Sequence, residues 1–501
     1  MNLNKSKKET DAKLAFEKGV NFLNNKDYDN AETEFLASLT LVPNRASVVY
    51  NLVHIYYLSK NVKKLDTLID QCEDIKNTKE IKLALAYKEY FNKNYKESIK
   101  IAESLINYFF LQTEDDQILF LLALNYKCLG NYLKTLNIYR KILFRNRDDD
   151  AILENIGFFF LEQGKIKKAY HYLKKGHDIN PKENNILWNI SMCQFKTGDL
   201  YNGFKLFEKR WDVPASGRKK FTNIQSVRDI NEIYNKKILI WDEQGLGDTI
   251  QFSRFVLDIL KYTNNITLVV NKKLKILLSF LNKDILVEEY DSLKNYNHFD
   301  FQIPICSLPM LMGIKKKSDI LYSKLDIQGK NLNIDNSIFS KDKLNMGFAI
   351  SGNPNYRFDK FRSIDFKDFE NFLAIENINF FKLNTDIKQQ DLLRFYSYKF
   401  HDLGNKDFYE LSFYLKKLDL VVSVDTSIIH LCGTLNIPSI LLLSFNSDWR
   451  WFDDETNTVW YPSVRIIKQK TMNNWQFVLD NLFKDIQDIY YRKFNKSLLN
   501  I

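Results

Sequence analysis

Apolar positions change their rhythm near the middle of this chain. Its first part carries segments such as KCLGNYLKTLNIY, LEQGKIKKAYHYL and FKTGDLYNGFKLF, in which apolar residues fall at the spacing of amphipathic helices. After FEKRWDVPASGRKK the runs become short and continuous. KKILIW, ITLVV, ILVEEY and FDFQIPI form one series. MGFAIS, INFFKLN, FHDLG, LDLVVSV, PSILLLS and VRIIKQ form a second. Short, wholly apolar strands separated by helices or loops predict parallel sheets covered on both faces, the doubly wound kind. Two series predict two lobes with a cleft between them. The stretch from Asn474 to about Phe494 reads as a closing helix.

The helical part repeats. Gly130, Gly164 and Gly198 recur every 34 residues, each at a turn between two helices where a left-handed backbone costs little without Cβ. Gly19, Ala31, Ser38 and Pro43 stand at offsets of 12, 7 and 5, and Gly157, Ala169, Gly176 and Pro181 repeat those offsets. Small residues there let paired helices approach closely, and the proline stops the second helix. Ala86 with Ser98, and Ala123 with Thr135, give degenerate versions. Residues 12–211 therefore resemble tetratricopeptide repeats in roughly six units. The resemblance implies a groove for a peptide or partner protein; scaffolding of the next domain is the plainer alternative. The expected fold class is α plus α/β: a helical solenoid over 1–211, a connector over 212–235 containing Pro214, Ser216 and Gly217, a first Rossmann-like lobe over 236–340 and a second over 341–501.

Composition narrows the class. Hydrophobic residues make up 45% of the 501 and charged residues 27%, the proportions of a globular protein with a real core. The opening MNLNKSKKETDAK has no apolar h-region, and the longest apolar runs, such as Ile440–Leu443, are strand-sized. A cytoplasmic protein without a transmembrane segment is expected. Cys72, Cys128, Cys193, Cys306 and Cys432 form no CxxC pair, so reduced thiols rather than a disulfide framework are expected. The six histidines are scattered, which argues against a metal site. A net charge of +10 comes with acids interspersed among the bases, Arg218–Lys220 and Lys315–Lys317 being short triplets; this favours a solvated surface over a nucleic-acid face.

Three loops carry candidate chemistry. Gly245, Leu246, Gly247 and Asp248 stand out among only 16 glycines, between a strand and a helix; glycines there permit a tight turn and close backbone approach to a ligand. Ser351, Gly352, Asn353 and Pro354 follow a strand, with Lys360, Arg362 and Ser363 just downstream, and cations beside such a loop could hold a diphosphate. The third loop is Asp425, Thr426 and Ser427 at a helix start, with His430 one turn in, where amides and hydroxyls make an anion site. Each loop also fits an ordinary structural role. Asp248, Ser363 and Asp425 suit helix caps, His430 could simply pack, and Arg362 could pair with a carboxylate.

The segments WDEQGLGDTIQFSRF, ISGNP…RSIDF, VDTSIIHLCGTLNIPSILLL and DWRWF…VWYPSVRIIKQ resemble, in that order, bacterial tetratricopeptide–glycosyltransferase proteins. The catalytic half of those proteins is similar to the heptosyltransferases and, more distantly, to the O-linked N-acetylglucosamine transferases. The resemblance implies a two-Rossmann GT-B fold, a nucleotide-diphosphate-sugar as substrate, a protein or glycan acceptor, and neither cofactor nor metal. It implies that Asp248 is the general base. It implies that Asp425, Thr426, Ser427 and His430 hold the donor nucleotide and phosphates, and that Lys360 and Arg362 contact phosphate. Trp449, Arg450 and Trp451 are expected to form a packed aromatic corner. The alternative from another class is a repeat scaffold whose glycosyltransferase half has lost catalysis.

Overall fold

The computed structural model describes residues 2–498 except 26, 76, 107–114, 214–219, 294–295, 328–333, 355, 357–358, 384–396 and 453–455. Pro214, Ser216, Gly217, Arg218 and Lys219 of the expected connector lie outside the described residues. The chain divides into two compact units, Met1–Ile156 and Gly157–Ile501.

The first unit is built from helix pairs: α1 (Asn2–Asn24) with α2 (Tyr28–Leu41), α3 (Ala46–Leu58) with α4 (Val62–Gln71), α5 (Lys79–Phe91) with α6 (Tyr95–Ser104), and α7 (Asp116–Cys128) with α8 (Tyr132–Arg145). Small residues act where the repeat places them. A Cβ on Gly19 would stand 2.7 Å from the Phe35 ring. Ser38 Oγ donates to the Ala12 carbonyl at 2.7 Å, Ser98 Oγ to Ala86 at 2.7 Å, and Thr135 Oγ1 to Ala123 at 3.4 Å. One hydroxyl thus ties the second helix of each of these pairs to a buried carbonyl of the first, which satisfies a polar group that close packing would otherwise strand. Gly130 takes the expected left-handed turn (φ +76°), but Lys60 and Lys93 take it as well (φ +53° and +65°).

The second unit begins inside α9 (Asp150–Glu162) and continues through α10 (Ile166–Ile179), α11 (Asn184–Lys196) and α12 (Leu200–Phe207). The helical spacing thus runs to Phe207, whereas the compact division falls at 156/157 rather than at the 211 expected from the repeats. Packing is the reason: Phe195 stacks on Trp449 with ring centroids 4.0 Å apart, and Asn446 Nδ2 donates to the carbonyl of Leu161 at 2.8 Å. The last helices are cemented to the α/β part by a shared apolar core containing Phe195, Leu200, Phe204 and Phe207.

Among the described residues, that part holds two sheets whose strands all pair in parallel. The first contains β1 (Gln225–Ser226), β2 (Ile238–Trp241), β3 (Ile266–Val270), β4 (Ile285–Glu289) and β5 (Phe301–Pro304), in the order β1-β5-β2-β3-β4. The second contains β6 (Leu344–Ala349), β7 (Ile378–Lys382), β8 (His401–Asp402), β9 (Leu420–Val424), β10 (Ser439–Leu443) and β11 (Val464–Lys468), in the order β11-β10-β9-β6-β7-β8. Every residue of β2, β3, β6, β9 and β10 is buried, as their unbroken apolar runs require. Residues 225–226 depart from the connector reading, since they pair with Phe301 and Gln302 as an edge strand. In each sheet the strand order reverses beside the first long central strand: between β2 and β5, and between β6 and β9. Parallel α/β sheets open a crevice at the carboxyl ends of such strands. The closing helix spans Gln476–Phe494.

Candidate functional site

The loops leaving β2, β6 and β9 reach one cleft of about 1430 Å³. Gly245, Gly247, Asp248, Ser351, Gly352, Asn353, Arg362, Asp425, Thr426, Ser427 and His430 all line it. Lys360 does not. It is exposed, with its Nζ 4.8 Å from the Phe361 ring centroid, because the helical turn Asp359–Arg362 points Arg362 inward and leaves Lys360 on the outside.

The glycines meet the expectation of close approach but not that of the tight turn. The left-handed position of the first loop is Gln244 (φ +63°), while Gly245 is the extended N-cap (φ −110°) of helix α13 (Leu246–Phe252). Gly247 is needed for approach: a Cβ there would stand 2.7 Å from His430 Cδ2 and 3.3 Å from Ser427 Cα. The starts of α13 and of α14 (Ser427–Thr434) therefore face each other across the two lobes. Gly352 makes room for the Arg362 guanidinium and the Asp359 carboxylate, which its Cβ would displace.

Asp248 reaches back along α13, its Oδ2 accepting the Gly245 N–H at 2.8 Å, while its Oδ1 pairs with Arg450. Burial raises its pKa; Arg450 and the Gly245 amide pull it back. Asp425 is not a cap. Thr426 is, its Oγ1 accepting the Ile428 N–H at 3.3 Å. Burial and the neighbouring Asp448 push Asp425 up to about 6, against the pull of Arg362. Arg362 donates from Nη1 to the Asp425 carbonyl at 2.6 Å and from Nε to Asp359 at 2.9 Å, so it holds the β6 and β9 loops together. Ser363 is not a cap either; it accepts the Gly352 N–H at 3.1 Å and donates to Asp359 at 2.9 Å. His430 Nδ1 and the Tyr461 hydroxyl are hydrogen-bonded at 2.9 Å, and its Nε2 lies 3.9 Å from Asp425 Oδ1. Burial and then the charge of Arg450 lower its pKa to about 3, so the ring is neutral near neutral pH.

The expected aromatic corner exists, since Trp449 and Trp451 are buried, but Arg450 between them is a cleft residue. It pairs with Asp248 and, at 2.8 Å, with Asp448. Composition gave no signal for this; the one available was a charged residue flanked by two indoles, which a packed corner has no reason to contain. The first lobe adds a second group at the end of β2. Fully buried Arg210 grips Glu243 with both Nε and Nη2 (2.8 and 2.7 Å), and Lys220 Nζ lies 3.8 Å from the Tyr290 ring centroid. The five cysteines are free. Among the described residues no cluster of His, Cys, Asp and Glu is arranged to hold a metal ion, and no helix is long and apolar enough to cross a membrane.

No family model matches the chain, and no curated protein matches it significantly. Solved structures similar to part of it include Pseudomonas aeruginosa PilF (11% identity, TM-score 0.30, covering 42% of this chain and 95% of PilF). PilW, described as a type IV pilus biogenesis factor, has 13% identity and a TM-score of 0.32, covering 41% of this chain and 94% of PilW. A thermophilic tetratricopeptide-repeat protein of Thermus thermophilus has 14% identity and a TM-score of 0.32, covering 36% of this chain and 98% of its own. Likenesses of this size carry no functional argument. What stands on the chain's own geometry is a helical repeat array joined to a two-sheet parallel α/β part.

Proposed function

We propose that the α/β part is a GT-B-type glycosyltransferase that moves a sugar from a nucleotide-diphosphate-sugar to a protein or glycan acceptor, with inversion and without a resident metal. The observation that supports this most is the convergence of the β2, β6 and β9 loops, at two topological switch points, on one cleft that carries Arg362 and Arg450. Crevices of this kind take nucleotides, and two arginines suit a diphosphate. In this reading the second lobe holds the donor through Ser351–Asn353, Arg362 and Asp425–Ser427. Amides at the start of α14 and the arginines stabilise charge growing on the leaving diphosphate. Asp248, on the opposite wall, takes the proton of the attacking hydroxyl. Neutral His430 fixes the Asp425 loop rather than transferring a proton. The repeat array is proposed to receive the acceptor or a partner protein.

One observation favours a second reading, a repeat scaffold with a silent cleft: both Asp248 oxygens are engaged by Gly245 and Arg450. Thermal-shift measurement against UDP, GDP, ADP, CMP and their sugar conjugates separates the two. The enzyme reading expects a selective upward shift that disappears in Asp425→Ala. No shift from any nucleotide, on folded protein, supports the scaffold.

A further inference from the structure

Arg450 is held as few surface arginines are. The helical turn Trp449–Trp451 is pinned on both sides, Trp449 stacking on Phe195 (centroids 4.0 Å apart) and Trp451 on His430 (5.2 Å). The backbone between two buried indoles has little freedom, so the guanidinium is delivered to one place. There it is shared. Nη1 pairs with Asp448 at 2.8 Å on the same turn, and Nη2 pairs with Asp248 on α13 in the other lobe. Its Nε is buried with no hydrogen-bond partner, so the fork has donor capacity unspent. The side chain is only 10% exposed yet lines the cleft.

This arrangement works against Asp248 as a base. Its Oδ2 is occupied by the Gly245 amide, and the adjacent cation favours its charged, proton-poor form. Among the described residues, six carboxylates (Asp242, Glu243, Asp248, Asp407, Asp425 and Asp448) line the cleft with five cations (Lys220, Lys273, Arg362, Lys406 and Arg450), and Arg450 itself is already shared between two of those acids. A diphosphate that takes the Arg450 fork has to displace one of these two carboxylates from it. Asp448 is the harder one to displace: it also accepts the Arg450 backbone N–H at 3.0 Å and belongs to the same turn. Asp248, held from across the cleft by one side-chain contact, is the easier.

We propose that Arg450 is an exchangeable latch: a bound diphosphate takes the guanidinium from Asp248, and donor binding thereby frees that carboxylate to accept the acceptor's proton. The inference rests on the proposed nucleotide-sugar site and adds an order to it, donor before acceptor. A planar guanidinium suits the exchange, because phosphate oxygens offer it the same forked geometry as a carboxylate with more negative charge.

The test is calorimetric binding of inorganic pyrophosphate and of the nucleoside diphosphates to the full chain and its variants. Asp248→Asn is expected to tighten pyrophosphate binding about fivefold or more, because the competing carboxylate is gone, and Arg450→Gln to weaken it about tenfold. In Asp248→Asn/Arg450→Gln the tightening disappears. Should Arg450→Gln fail to fold, Arg450→Lys, which keeps the charge and loses the fork, is expected to weaken binding about threefold, with Asp248→Asn again giving no gain on top of it. A wild type that binds a nucleoside diphosphate, with Asp248→Asn no tighter than wild type, overturns the latch and leaves the nucleotide reading standing. An equal gain in the Arg450→Gln background overturns it too, since the effect would then be the general field of one removed charge. A wild type that binds neither pyrophosphate nor any nucleoside diphosphate overturns both.

Discussion

Acid should destabilise the second unit from within the cleft, through His430. The ring is 6% exposed, stacked on Trp451 and hydrogen-bonded to Tyr461; burial first, and then Arg450, lower its pKa from 6.5 to about 3. The unfolded chain binds a proton near pH 6.5 and the folded chain does not. The stabilising contribution is therefore complete above that pH and declines as pH falls toward 3. Each unit of pKa is worth about 1.4 kcal/mol, so at about pH 5 the loss is about 2 kcal/mol. Asp425, raised to about 6, acts with the opposite sign: its contribution is present at low pH and declines as pH rises through about 6. A wild-type titration mixes the two. The comparison of His430→Gln with wild type isolates the histidine, because Asp425 is present in both. All seven tryptophans, from Trp188 to Trp475, lie in the second unit, so tryptophan fluorescence during urea unfolding follows that unit alone. The stability gap between wild type and His430→Gln should be largest at about pH 8 and shrink by about 2 kcal/mol at about pH 5. A gap that stays the same at both pH values would falsify the neutral, buried histidine.

Gly247→Ala should destabilise the second unit by about 1–3 kcal/mol, since its Cβ would meet the His430 ring at 2.7 Å and the Ser427 backbone at 3.3 Å; a neutral change in the fluorescence melt would mean that the two helix starts are not so close. Arg210→Gln should cost about 3–5 kcal/mol, because it leaves Glu243, 8% exposed, as a buried charge without its forked partner. If Arg210→Gln together with Glu243→Gln is no more stable than Arg210→Gln alone, the stranded charge is not the cause.

The period and the burial of strands were legible because both are local. Gly130, Gly164 and Gly198 mark turns by a backbone angle that each residue meets alone, and runs such as LVVSV and SILLL are long and apolar enough to predict central strands of a parallel sheet. The three candidate loops were legible too, since a glycine or hydroxyl cluster after such a strand is a chain-local sign. Lys60 and Lys93 were not, because a lysine in a left-handed turn is tolerated rather than required. Lys360 was misplaced because sequence gives its separation from Arg362 but not which way a single helical turn faces. The place where the compact units divide was decided by Phe195 on Trp449, a contact between residues far apart in the chain. The pairing of Arg450 was beyond sequence reading for the same reason: its partner Asp248 lies on another sheet's helix, and a charge pair across a cleft exists only once both lobes have folded and met. Periodicity alone determined the elements and their class. The chemistry at their ends, which depends on what each side chain faces, belonged to the tertiary structure.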